Sequence, residues 1–187
     1  DDTVVMSVAK DINNYFYTSA QTLTAADPID IDIPSFKVGS LYSAISKPQG
    51  LILFSQFEQF LLYSESGNLT PFDSVIRTIG QYESAPDVDT RDMGGYVTVV
   101  TRTPLYAKVL GMQPRGGNET PIASDISQVI SELLPSDIDQ LTTDPQNATL
   151  AVYSRSTEEI YLYKFYSPGQ EQLMQAWFKW KVIGDVQ

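Results

Sequence analysis

Leu51-Ile52-Leu53-Phe54-Ser55-Gln56-Phe57-Glu58-Gln59-Phe60-Leu61-Leu62-Tyr63 is the stretch on which the fold turns. Leu51 to Phe54 and Phe60 to Tyr63 are short apolar runs, and Ser55 to Glu58 lie between them. Two such runs about a short polar interval read as buried strands joined by a hairpin turn. This is also the densest apolar stretch of the chain. Ser55, Gln56, Glu58 and Gln59 interrupt it well short of the roughly 18 residues of a membrane span. No signal peptide is visible.

Working outward, the same pattern returns. Tyr96 to Thr101 and Leu105 to Leu110 are β-rich, with Pro104 at the turn between them. Thr149 to Tyr153 and Ile160 to Tyr166 form a further hairpin, and Ala176 to Ile183 a last strand. Ser74 to Tyr82 reads as another strand. Near the start, Ile29, Ile31 and Ile33 alternate with Asp30 and Asp32, the period of a strand with one dry face. Ala25-Ala26-Asp27-Pro28 before it is a turn signal, and Asn13-Asn14-Tyr15-Phe16-Tyr17 is an aromatic segment of no clear period. Ser64 to Asn68 and Gln113 to Glu119 read as loops.

Two segments have helical spacing. Val38, Leu41, Tyr42 and Ile45 have helical spacing over Val38 to Ser46, and Pro48 stops the run. Ile126, Val129, Ile130, Leu133 and Leu134 share a face over Asp125 to Leu134, with Ser124 or Asp125 as a cap and Pro135 after it. The expectation is a mainly β fold of antiparallel hairpins with one or two short helices. Hairpins recurring about every 45 residues suggest the four-stranded blades of a β-propeller.

Composition bounds the chemistry. The 187 residues are 42% hydrophobic and 19% charged, the make-up of a globular chain. Tyr outnumbers Phe, eleven to eight, which suits half-buried strands and protein contacts. There is no Cys and no His. That excludes disulfides, thiolate chemistry, His- or Cys-built zinc sites and imidazole bases. The net charge of −11 opposes nucleic-acid binding, which rests on clustered Lys and Arg. The twelve cations here are scattered singly.

The remaining constellations are weak. Asp87, Asp89 and Asp92 sit close together, but an EF-hand loop would need Gly and Glu where Asp92 and Thr98 stand. A solvated acidic loop is the plainer reading. Glu58 and Glu65 flank a strand, whereas a glycosidase needs two carboxylates about 5–10 Å apart in a cleft. Gly39-Ser40 and Gly94-Gly95 match no phosphate-binding loop. Sequons at Asn68, Asn118 and Asn147 matter only in a eukaryotic secretory setting. On a strand, Trp177 and Trp180 face opposite sides and cannot form one stacking platform. Phe178, Trp180 and Val182 share a face, as do Trp177, Lys179 and Lys181. The expectation is therefore Trp180 in the core and Trp177 half exposed. No catalytic, cofactor-binding or metal residue is assigned.

The order of short motifs adds one further reading. Asp27-Pro28-Ile29 is followed by Leu51-Ile52-Leu53-Phe54-Ser55, Gln59-Phe60-Leu61-Leu62 and Leu69-Thr70-Pro71. Asp125-Ile126-Ser127 and Leu134-Pro135 come next, and Ala176-Trp177-Phe178-Lys179-Trp180 closes the chain. In this order the chain resembles the tail tubular protein B family, the nozzle proteins of short-tailed bacteriophages. The resemblance implies a virion structural protein with no active site. It also implies a homohexameric tube at the distal end of the tail, in contact with an adaptor ring and tail fibres, through which DNA is ejected. Members of that family are several times longer. Residues 1–187 are thus expected to be a single region, a propeller segment of a longer protein, consistent with a start at Asp1. The competing expectations are a carbohydrate-binding or depolymerase-type β-domain of a tail fibre, and a secreted acidic adhesion domain. No membrane insertion by this segment is expected.

Overall fold

The computed structural model describes residues 3–35, 37, 39–113, 121–166 and 174–181. The chain divides into two compact units, Asp1–Tyr82 and Glu83–Gln187.

In the first unit, β1 (Thr3–Met6) pairs antiparallel with β2 (Ile29–Asp32), with residues 7–28 looping out between them. Then β3 (Leu41–Lys47), β4 (Gly50–Ser55), β5 (Gln59–Ser64) and β6 (Ser74–Gly80) form a four-stranded meander in chain order. The two apolar runs of the opening stretch are the central strands. Leu51 lies opposite Leu62 and Leu53 opposite Phe60. Leu53, Phe60, Leu62 and Ile76 are buried together, and Val4, Met6, Ile31 and Ile33 from β1 and the β2 segment pack against them. The turn is closed by Ser55, whose amide donates to the Glu58 carbonyl at 3.0 Å and whose hydroxyl accepts from the Glu58 amide at 3.1 Å. At the preceding turn Gly50 has φ +140°, and a Cβ there would run into the Leu62 carbonyl. Only glycine allows that approach.

The second unit holds two more four-stranded antiparallel meanders. One contains β7 (Arg91–Asp92), β8 (Val97–Arg102), β9 (Ala107–Gln113) and β10 (Ile122–Asp125). The other contains β11 (Gln140–Asp144), β12 (Thr149–Ser154), β13 (Glu159–Tyr166) and β14 (Met174–Lys181). They share one core, in which Met93, Val100, Val109 and Ile126 meet Leu141, Leu150, Val152 and Tyr163. Polar groups also cross between the two sheets. Arg91 Nε donates to the Leu141 carbonyl at 3.1 Å, Thr143 Oγ1 to the Asp92 carbonyl at 2.8 Å, and Trp177 Nε1 to the Ile126 carbonyl at 2.9 Å.

The mainly antiparallel β architecture agrees with the sequence reading, and the helices do not. From Leu41 the first helical segment is strand β3; Val38 lies outside the described residues. A register shift between Leu41 and Ser43 places an extra residue in the strand. Such a bulge breaks the alternation of period two. The spacing that remains imitates a helix.

The second helical segment contains only a 3-10 turn, Gln128–Ile130. Ile126 and Leu134 are buried, but Val129 and Leu133 are 76% and 66% exposed. Asp125 Oδ1 accepts from the Ser127 amide at 2.9 Å and from its hydroxyl at 2.6 Å. Ser127 Oγ in turn accepts from the Val109 amide at 3.0 Å. Short polar side chains that bond nearby backbone compete with helix formation, and here they tie the segment to β9 instead. The loop read over Gln113 to Glu119 falls mostly outside the described residues, as does the sequon at Asn118.

Candidate functional site

The two glutamates weighed as an acid pair stand at opposite ends of β5. Strand rise places their backbones roughly 20 Å apart, beyond the reach of a glycosidase pair. Glu58 is fully buried. Its Oε2 accepts from Ser35 Oγ at 2.6 Å and its Oε1 from Gln81 Nε2 at 3.5 Å, so it ties the segment after β2 to the β4–β5 turn. Its neighbour Gln59, also fully buried, donates to the Tyr82 carbonyl at 2.8 Å and accepts from the Tyr82 amide at 3.1 Å. Glu65 is exposed in the loop beyond β5.

The acidic trio is dispersed among other partners. Both Asp87 carboxylate oxygens accept from Arg102 Nη1 at 2.7 Å, and Asp89 pairs with Arg91 Nη2 at 3.2 Å. Asp92 Oδ1 accepts from the Gly94 amide at 2.8 Å. Among the described residues no group of three or more acids forms a metal cage. A polar cleft of about 400 Å³ beside them, lined by Asp87, Asp89, Arg91, Asp139 and Thr142, already holds the Asp89–Arg91 ion pair.

The tryptophans are placed the opposite way round from the sequence reading. Trp177 stands across from Tyr163, with ring centroids 4.9 Å apart, and packs against the shared core. Trp180 is 59% exposed, beside the less exposed Phe178 at 6.1 Å. Val182 lies outside the described residues. The reversal has a physical cause. Lys179 and Lys181 follow Trp177 on its face, but both stay exposed on β14, the edge strand of the sheet. There Lys179 Nζ reaches Glu159 Oε1 at 2.9 Å. Long lysine stems can skirt an apolar layer while their charges stay wet, so two lysines did not mark the wet face. Tyr161 Oη donates to Glu159 Oε2 at 2.6 Å, and this bond, followed by that of Lys179, holds the Glu159 carboxyl below its usual range. Burial, reinforced by Glu159, pushes the Tyr161 hydroxyl up.

Two surface features were missed because neither has a motif. One is the loop 7–28. Asp27 is buried beneath it, with Oδ1 accepting from the Thr18 hydroxyl at 2.7 Å and its amide at 3.0 Å, and Oδ2 accepting from the Thr24 amide at 2.6 Å. Those bonds, the Thr18 hydroxyl foremost, lower its pKa to about 2. So pinned, the loop holds Ile12, Tyr15, Phe16, Tyr17 and Leu23 out in water. The other is a mainly apolar groove of about 500 Å³ on the sheet β11–β14, lined in part by Asn147, Lys164, Tyr166, Met174 and Phe178.

Fold and surface together define a structural β-sheet protein, with carboxylates engaged as braces and aromatic side chains turned outward. The chain belongs to the bacteriophage nozzle protein family, whose model matches residues 1–187. No curated protein matches it. It is accordingly a structural component of the phage tail, located in the virion. The family is structural rather than enzymatic. Among the described residues, no helix is long and apolar enough to cross a membrane.

Proposed function

We propose that the chain forms part of the wall of the tail's terminal tube, as a β-propeller segment of a homohexameric conduit through which DNA is ejected. The observation that carries this is the repetition of one unit. β3–β6, β7–β10 and β11–β14 are each four-stranded antiparallel meanders with every strand beside its sequence neighbour. That is the topology of propeller blades. In the second unit two such sheets lie face to face on a shared core, and their first strands, β7 and β11, are neighbours. First strands gathered on one side are what radial blades require.

The acidity fits a conduit. A wall of net charge −11 offers DNA no counterion release and so does not hold its cargo. An adaptor ring above and fibres beside the tube are the partners this position implies. Electron micrographs of the full-length protein test the reading: sixfold rings with a central channel are expected. Isolated particles without rotational symmetry, both free and in disrupted tails, would overturn it.

A further inference from the structure

At one end of the β3–β6 meander two turns border a cleft. The β3–β4 turn is Pro48-Gln49, between Lys47 and its partner Gly50. The β5–β6 loop leaves the sheet after Ser64. The cleft has a volume of about 320 Å³ and is lined in part by Pro48, Gln49, Leu51, Tyr63, Ser64 and Leu69. All of these residues belong to the first unit.

The walls are held in shape. Ser64 Oγ donates to Asp73 Oδ2 at 2.8 Å and the Ser66 amide donates to the same oxygen at 3.0 Å, which pins the loop. The Arg77 guanidinium lies over the Tyr63 ring, 5.4 Å from its centroid. A cleft formed before contact loses little conformational freedom on binding. One polar atom in it is unsatisfied. Gln49 Oε1 is buried and has no hydrogen-bond partner among the described residues. A buried acceptor without a donor is destabilising. The terminal torsion of a glutamine side chain is soft, so a small rotation presents this oxygen to the cleft.

The lining selects the chemistry of an occupant. No carboxylate is among the lining residues, so a cation finds no counter-charge. Lys47 is the one charged residue there, and it already has a partner within the protein. An anion would therefore gain little against the field of a chain at −11. A wholly apolar ligand would leave the Gln49 amide unpaired. What fits is an uncharged molecule that donates hydroxyls and also presents apolar C–H faces to Leu51, Tyr63 and Leu69. A pyranose ring has both.

We propose that this cleft binds a neutral hexose unit, with a sugar hydroxyl donating to Gln49 Oε1 and the ring packed on the apolar wall. A free sugar and a unit of a glycan chain share this chemistry. The site stands apart from the conduit reading: sixfold rings without sugar binding would remove only the site, and sugar binding without rings would remove only the conduit.

The test follows backbone and side-chain amide shifts of the isotope-labelled 187-residue chain during titration with glucose, galactose and mannose, and with a trisaccharide of each. At least one hexose should shift residues 46–51 and 63–69, the Gln49 side-chain amide included, with a dissociation constant of order 1–10 mM. A trisaccharide that binds more tightly than its monomer identifies a glycan chain as the source, and equal affinity identifies a single sugar. Sorbitol, which has the hydroxyls without the ring, should leave the spectrum unchanged. Gln49→Leu removes the acceptor and keeps most of the volume, so it should bind about tenfold more weakly. Gln49→Ala replaces it if the spectrum away from the cleft shows misfolding. Any of four outcomes would overturn the site: no shift from any of these sugars up to about 50 mM, well above the expected constant, shifts that map elsewhere, a folded Gln49 variant that binds like the wild type, or sorbitol or glucuronate binding more tightly than every hexose.

Discussion

Trp177 and Trp180 are three residues apart, and the structure gives them opposite fates. Trp177 is partly buried on the shared core and its indole N–H satisfies the Ile126 carbonyl. Trp177→Ala should cost roughly 3 kcal/mol, the low end for large aromatic deletions because the ring is not fully enclosed. Trp180→Ala should stay within about 0.5 kcal/mol, as exposed substitutions do. Urea unfolding of both variants checks the ranking, and equal losses would mean the face assignment is wrong. Asp27 makes a second prediction, for acid. Its pKa falls from the usual 3.8 to about 2 on folding. A depressed carboxyl contributes stability that is fully present above its unfolded value and lost as pH drops through the folded one. The loop 7–28 should therefore stay protected from hydrogen exchange at pH 5 and open as pH approaches 2. Asp27→Ala should be open at both, with no step between them. Neither residue was legible from sequence. Alternation along β14 gives the two faces, but not which one meets the core, and Asp27 looks like any turn aspartate until its donors from nine and three residues away are seen.

Among the elements, the hairpins were readable and the helices were not, for one reason. Leu51 to Phe54 and Phe60 to Tyr63 are apolar because both strands lie centrally in a sheet, so local pattern and tertiary burial agree. In β3 the bulge near Leu41 shifts the phase of alternation. Between Asp125 and Leu134 the apolar spacing is genuine, but the polar bonds of Ser127 and Asp125 decide the backbone. That yields a direct test. A helix would place Val129 and Leu133 on the buried face with Ile126 and Leu134. The observed turn leaves them in water, so Val129→Ser and Leu133→Ser should each change stability by less than about 0.5 kcal/mol. Ser127→Ala removes an acceptor from the buried Val109 amide and should cost about 1–3 kcal/mol, as unsatisfied buried donors do. Chemical denaturation of the three variants settles the comparison; large losses at 129 and 133 would restore the helix.

For the whole molecule, charge is the property that bears most directly on a conduit. Non-specific DNA affinity comes mainly from cations that displace condensed counterions, and it appears as a steep fall of binding with salt. Three of the twelve cations are already committed. Arg91 and Arg102 are bound to Asp89 and Asp87, and Lys179 to Glu159. What remains is too sparse to track a phosphate backbone, while the summed field at −11 repels it. That repulsion reaches furthest at low salt, where the Debye length is about 30 Å at 0.01 M. β13 and β14 carry a local excess of positive charge, and two net charges give a salt slope of only about −2. A mobility-shift titration with linear duplex DNA at low and moderate salt should therefore show no complex at micromolar protein. The double variant Lys179→Gln, Lys181→Gln should behave identically. Micromolar binding that weakens steeply with salt would contradict a wall that lets DNA pass. Loss of that binding in the double variant would locate the contact on β14.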